Sequence, residues 1–218
     1  MAEGEFLHMS EFIIKPHNTA VNNGVASGVK QHLSKINKED RILDYGCGKL
    51  RNSKYLKEQG FINVDILDKQ VQYDRLTEEE LKPFNQIVAG DKLIENSYDA
   101  IFCTFVLNVI PNLIERNEVI ENIQYLLKEN GKAVFEVRKA DDIFNAKYIE
   151  EYMDGYIVGK NSVKTFQKPY EIDELSDILK KHFSVVGSKK YSNSIVVTVE
   201  KNTNAKTAEV SEQLRMAI

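Results

Sequence analysis

The chain has 218 residues, 42% hydrophobic and 28% charged, with a formal net charge of −4 and a pI of about 5.7. That length suits one α/β domain with a full core, and the acidic balance gives no support to a partner held by overall positive charge. No apolar run approaches the roughly 20 residues that span a bilayer, and the N-terminus lacks the pattern of a secretory leader. Cys47 and Cys103 make neither a metal spacing nor a disulfide framework, so a cytoplasmic protein without a membrane partner or metal is expected. Met9-Ser10 is a candidate start, with Met1 to His8 as added residues.

Residues 1–18 read as an N-terminal arm. Val25, Val29, Leu33 and Ile36 then recur along one face and predict a helix within 19–37. Arg41 to Tyr45 is a short apolar strand stopped by Gly46, and Asn52 to Gln59 is a helix ended by Gly60. Phe61 to Leu67 predicts a second strand that ends at Asp68, and Gln86 to Ala89 a weak third. Ala100 to Phe105 is the fourth strand. A helix follows from Leu113 to Leu127, closed at Glu129-Asn130-Gly131, and Lys132 to Val137 is the fifth strand. Strands alternating with helices predict a parallel sheet with right-handed crossovers.

Asp154 to Lys168 predicts an inserted hairpin, with Tyr156-Ile157-Val158 and Val163-Lys164-Thr165 around Gly159 to Ser162. Glu171 to His182 is the last helix. Phe183 to Gly187 and Ser194 to Glu200 are strands whose link is too short for a crossover, so they pair antiparallel. The expected fold is therefore α/β and Rossmann-like: a mostly parallel seven-stranded sheet over residues 19–200, ending in an antiparallel hairpin. Residues 201–218 form a tail, where Val210, Leu214 and Ile218 fall at four-residue spacing and predict either a short docking helix or disorder.

The chemistry concentrates where the first strand ends. Gly46-Cys47-Gly48 lets backbone approach a ligand closely, but such loops serve several nucleotide cofactors. Asp44 discriminates among them. A carboxylate at the strand end repels a pyrophosphate and welcomes the ammonium and sulfonium of S-adenosylmethionine. The third glycine of the dinucleotide fingerprint is also missing, since Arg51 stands there.

Asp68, 22 residues after Gly46, ends the second strand where an acid accepts ribose hydroxyls. Asp65 is its rival inside the strand, and Lys69 follows at the site's edge. Asp91, after the third strand, is a candidate for the adenine amino group or a solvated turn. Tyr45 and Cys47 complete the loop's cofactor set.

Thr104, Phe105 and Val106 leave the fourth strand on the cofactor side, with Phe105 or Val106 as an apolar floor. Asn108 or Thr104 is placed to hydrogen-bond donor or acceptor. His17 in the arm, Asn108 and Arg138 are the candidate acceptor-binding residues. Lys160, Lys164, Lys168 and Arg138 make a basic mouth that suits an anionic acceptor such as nucleic acid, against the alternative of a solvated charged face. The two cysteines read as packing residues. The segment lacks the proline-cysteine and Asp/Asn-Pro-Pro-Tyr/Phe signatures of the common DNA base-modifying enzymes.

Four blocks come in a recognisable order: His17-Asn18-Thr19-Ala20, then Leu43-Asp44-Tyr45-Gly46-Cys47-Gly48, then Phe105-Val106-Leu107-Asn108-Val109-Ile110. The fourth runs from Asp154-Gly155 through Thr165-Phe166-Gln167-Lys168 to Tyr170 and Glu174-Leu175. Together they resemble the class I S-adenosylmethionine-dependent methyltransferases associated with DNA phosphorothioation systems. The resemblance implies a Rossmann-like methyltransferase domain with Asp44, Gly46 and Gly48 at the cofactor, and names no acceptor, whether nucleic acid or small molecule. One departure is Leu50, where a third glycine is common, which predicts a less open loop. The competing expectation is a non-catalytic S-adenosylmethionine-binding module acting as a partner subunit or sensor. An NAD-dependent oxidoreductase is a third reading, opposed by Asp44.

Overall fold

A computed structural model describes residues 24–146, 149–159 and 164–201. His17, Lys160 and the tail positions Val210, Leu214 and Ile218 lie outside the described residues.

The main sheet has seven strands, β1 Ile42–Tyr45, β2 Val64–Asp68, β3 Asn85–Val88, β4 Tyr98–Thr104, β5 Leu127–Arg138, β9 Phe183–Lys190 and β10 Ser194–Lys201. Their order is β3-β2-β1-β4-β5-β10-β9, parallel through β5 and antiparallel for the last two. β1 is central, and its four residues are all buried. The order reverses on either side of β1 and β4, so the crevice at their carboxyl ends is where a ligand collects.

Helices cover both faces. On one side lie α1 Ser27–His32, α2 Arg51–Glu58, α3 Gln70–Tyr73 and α4 Glu78–Leu81. Leu56, Tyr73 and Val29 from these helices share a core with Ile42, Ile66 and Phe102. On the other, α5 Leu113–Leu126 and α7 Ile172–Leu179 bury Ile120, Ile123, Leu175 and Leu179 against Leu43, Ile101 and Phe135. The alternation of strand side chains sends Asp44 to the first face and Tyr45 to the second.

The sequence expectation differs from the structure at three places. The first helix is short, six residues from Ser27 and one 3-10 turn, because Ala26 is extended and its amide is already taken by Asn52 Oδ1 at 3.0 Å. β5 starts at Leu127 rather than Lys132, directly after α5, since buried Leu127 pairs with Tyr98. The inserted hairpin is one part of a three-stranded sheet: β6 Ile149–Tyr152, β7 Gly155–Val158 and β8 Thr165–Gln167. β6 was hidden because Glu150 and Glu151 are exposed and leave no alternating apolar pattern. A short helix, α6 Ala140–Phe144, connects β5 to this insert.

Candidate functional site at the carboxyl ends of β1 and β4

Gly46 takes φ 73° and Gly48 φ 52°, both left-handed, so β1 turns sharply without a side-chain penalty. Space is as restrictive as conformation. A Cβ on Gly46 would land on Cγ2 of Val106, from the loop after β4. Leu50 also adopts a left-handed conformation, φ 61°, and its side chain is fully buried among Ile42, Leu56 and Phe61. The position where a third glycine is common therefore keeps a glycine's backbone while filling the core. The loop is narrowed by packing beneath it.

The loop's amides are drawn inward. Gly46 and Cys47 donate to Leu67 O at 2.8 and 3.2 Å, and Gly48 donates to Asp68 Oδ2 at 2.8 Å. Asp68 Oδ1 accepts from the Lys69 amide at 2.8 Å. Burial raises the Asp68 carboxyl above its usual range, with the Gly48 and Lys69 amides opposing. Asp68 thus fixes the glycine turn while keeping free lone pairs on both oxygens. Asp65, the rival, lies toward the other end of the sheet, accepting from Arg41 Nη2 at 2.8 Å and the Tyr98 hydroxyl at 2.9 Å.

Asp44 is fully buried under the loop. Its Oδ2 accepts from the Ser53 hydroxyl at 2.5 Å, and its Oδ1 has no partner. Burial pushes its carboxyl up to about 6, opposed by Ser53, Asn52 and the nearby Arg51 charge. An ionised carboxylate with one buried oxygen unanswered calls for a cationic or N–H donor from a ligand. The ammonium of S-adenosylmethionine supplies such a donor, and the glycine turn beside it admits backbone-close approach, so the residues fit that cofactor.

Asn52, Ser53 and Glu136 carry no site role in the sequence reading, and Arg51 enters it only as the residue in place of a third glycine, yet all four brace this wall. Arg51 Nη1 donates to Gly24 O at 2.6 Å and its guanidinium lies 5.1 Å from the centre of the Phe105 ring. Asn52 joins the Ala26 amide to the Thr104 hydroxyl, donating to the latter at 2.9 Å. Glu136, buried in β5, accepts from the Gly28 amide at 2.7 Å and the Ser194 hydroxyl at 2.7 Å. A carboxylate within the apolar run Ala133-Val134-Phe135-Glu136-Val137 was the available signal, because such a residue is rarely buried without partners.

The remaining candidates are dispersed. Tyr45 points to the α5 side, where its hydroxyl accepts from Asn122 at 3.4 Å, so only its backbone faces the loop. Cys47 and Cys103 are buried, and burial drives both thiols far above their ordinary range, as packing residues require. Asp91 is exposed and accepts from the Val88 amide at 3.0 Å, closing a turn. Phe105 takes φ 60° and, with Val106, forms the partly buried floor beside the loop. Asn108 is buried and donates from Nδ2 to Gln167 Oε1 at 2.9 Å. Arg138 folds back on Asp142, one turn on in α6, instead of opening into the crevice.

The expected basic mouth is not a free positive surface. Lys164 pairs with Glu150 at 3.9 Å, Lys168 with Glu174 at 2.8 Å, and Arg138 with Asp142. Among the described residues no helix is long and apolar enough to cross a membrane, and no group of three or more His, Cys, Asp or Glu is placed to hold a metal.

Residues 18–182 match the family model described as "Methyltransferase domain". The chain belongs to that family. Among curated proteins it is 29% identical to the uncharacterized protein YmfD of Escherichia coli K12, over 87% of this chain and 90% of that one. Among solved structures it is similar to a methyltransferase of Burkholderia thailandensis that holds 1,6-didemethyltoxoflavin and S-adenosylhomocysteine. The TM-score is 0.60 at 17% identity, covering 80% of this chain and 76% of that one. A S-adenosylmethionine-dependent methyltransferase of Methanosarcina mazei gives 0.61 at 16% identity, covering 82% and 98%. The methyltransferase thus has the Rossmann-like fold of its class, with S-adenosylmethionine as methyl donor.

Proposed function

We propose that the enzyme binds S-adenosylmethionine between Asp44, the Gly46–Gly48 turn and Asp68, and passes its methyl group to a small acceptor entering over Phe105 and Val106. The observation that carries this reading is Asp44 Oδ1, buried and unpartnered beside a turn that admits no side chain. Asp44 would take the ammonium of the amino-acid moiety, and Asp68 the ribose hydroxyls from the far side of the turn. Asp91 is too exposed and too committed to its own turn to contribute more than an edge contact.

When bound, the cofactor supplies a methyl carbon already activated by its sulfonium. The protein's part is alignment and exclusion of water rather than a dedicated base. Val106 against Gly46 fixes the distance between floor and loop, and the Arg51–Phe105 contact holds the floor to α2. With three mouth cations paired, a small acceptor without strong charge is favoured over a nucleic acid. The narrower kinship with phosphorothioation-associated methyltransferases rests on the Val-Leu-Asn-Val-Ile and Thr-Phe-Gln-Lys blocks, and it leaves the acceptor open.

Calorimetry with S-adenosylhomocysteine tests the cofactor half. Micromolar binding by the wild type and its loss in Gly46→Val are expected, and absence of wild-type binding refutes the reading. Transfer of a labelled methyl group into a small-molecule extract tests turnover. Binding without any transfer would instead support a non-catalytic module.

A further inference from the structure

Among the described residues, the buried side-chain atoms without a hydrogen-bond partner sort into two places. One is Asp44 Oδ1. The others are Asn108 Oδ1 and the Nε and Nη1 of Arg116. Each such atom costs about 1–3 kcal/mol unless something answers it. All three of the second group lie on one seam, where the loop after β4 and the start of α5 meet the three-stranded insert.

The register shows the convergence. Asn108 is bound to the insert twice, through Gln167 Oε1 at 2.9 Å and by accepting the Lys168 amide at 2.7 Å on its backbone oxygen. Arg116 donates from Nη2 to Asp154 Oδ2 at 2.6 Å. Asp154 lies two residues before Tyr156, which pairs with Gln167 across β7 and β8. Tyr170, whose phenol hydrogen-bonds the Arg116 guanidinium beside Asp154, follows Gln167 by three residues. Both groups are therefore tied to neighbouring residues of the insert. Two residues before Asn108, Val106 packs against Gly46, so the seam adjoins the cofactor loop.

The polarity of each group is defined. The Nδ2 of Asn108 is committed to Gln167, whose own Nε2 donates to Thr165 Oγ1 at 3.4 Å, so the oxygen of Asn108 is the end left over. It can only accept, and it needs an N–H or O–H. Arg116 can only donate, and it needs an oxygen. Asp154 already balances its charge, so a second buried carboxylate would bring a negative charge with no counterion. A neutral carbonyl completes the site without that cost.

We propose that the acceptor is a neutral compound with an amide- or lactam-type edge, its N–H taken by Asn108 Oδ1 and its carbonyl oxygen by Arg116. This rests on the methyltransferase reading above. It makes Asn108 and Arg116 the residues that select the acceptor, and the insert the element that holds both in place.

The test is saturation-transfer NMR on protein loaded with S-adenosylhomocysteine, using uracil, hypoxanthine and 2-pyrrolidone alongside 1,3-dimethyluracil, 1-methylhypoxanthine and N-methyl-2-pyrrolidone, in which every lactam N–H is methylated. At least one lactam is expected to bind at millimolar concentration, with its N-methyl counterpart at least about tenfold weaker, the equivalent of one hydrogen bond to a buried group. Asn108→Leu and Arg116→Met should each lose the lactam signal. Calorimetric affinity for S-adenosylhomocysteine, measured on every variant, reports the fold and the cofactor site separately. No lactam binding by loaded wild type, or binding that N-methylation and both substitutions leave unchanged, overturns the proposal. Failure of the wild type to bind S-adenosylhomocysteine would instead overturn the cofactor reading on which it rests.

Discussion

The two walls of the crevice are built on opposite terms. At the end of β1, nearly every polar atom is satisfied by its own neighbourhood: loop amides by Leu67 and Asp68, Asp44 Oδ2 by Ser53, Asn52 by Thr104. Along the insert seam, three buried atoms are unanswered, and the named polar ties across it are few: Asn108 to Gln167, Lys168 to Asn108 and Arg116 to Asp154. On the proposed reading the first wall is preformed for the cofactor, and the second takes its last contacts from the acceptor.

The largest effect expected on this contrast is at Gly46. Gly46→Ala imposes a left-handed backbone on a side chain that has no room, so unfolding free energy should fall by about 2–4 kcal/mol and S-adenosylhomocysteine binding should vanish. Urea melts and calorimetry measure the two losses, and an intact site in this variant would mean that the wall is not rigid. Next is Leu50→Gly. It removes a left-handed strain of about 1–2 kcal/mol but empties a fully buried leucine site worth about 2–5 kcal/mol, so net destabilisation is expected. A melting temperature above wild type would show that strain, not packing, governs the loop.

Asp44 links this wall to pH. With its carboxyl at about 6 in the free protein, the ionised form that attracts an ammonium is lost on acidification. Affinity for S-adenosylhomocysteine should therefore fall between about pH 7 and about pH 5, by up to about tenfold per unit, and Asp44→Asn should bind weakly with a flat profile. For stability of the free protein the sign is opposite. The raised carboxyl favours the folded, protonated state, and that contribution disappears as pH rises through about 6.

On the seam, Gln167→Ala should change cofactor affinity by less than about twofold while removing one hydrogen bond from the insert. Faster amide exchange in β7 and β8 is the expected signature, and unchanged exchange would place the insert's hold elsewhere. The smallest effect is at Lys164, whose exposed pair with Glu150 is worth about 0–1 kcal/mol, so Lys164→Ala should leave both binding and melting nearly unchanged.

The same contrast explains what was legible in the sequence. The alternation of strand and helix, the antiparallel ending and the Asp44–Gly48 loop are carried by local patterns, apolar runs cut by glycine and an acid at a strand end. Local patterns survive reading in one dimension. Asp65 could be set aside only after Arg41 and Tyr98 were seen to hold it. Arg116 reads as an ordinary helix residue and Gln167 only as part of a resemblance block, because what distinguishes them is separated by 38 residues from Arg116 to Asp154 and by 59 from Asn108 to Gln167. The paired state of Lys164, Lys168 and Arg138 is equally a property of three dimensions, invisible in a cluster that reads only as basic.

The anchoring of α1 has a consequence for how the enzyme is made. Helix α1 is pinned by Glu136 at the Gly28 amide, and His32, sharing a hydrogen bond with Gly28 O at 2.8 Å, meets Thr198 at 2.8 Å. Ser194 secures the same glutamate. A ribosome thus produces the glycine turn early and its supporting wall late. Until residues 194–198 are made, the segment at Gly24–Gly28 is held by Arg51, Asn52 and Glu136 alone, without Ser194 on the glutamate or Thr198 on His32. The full set of contacts behind α1 therefore forms only once β10 has been made.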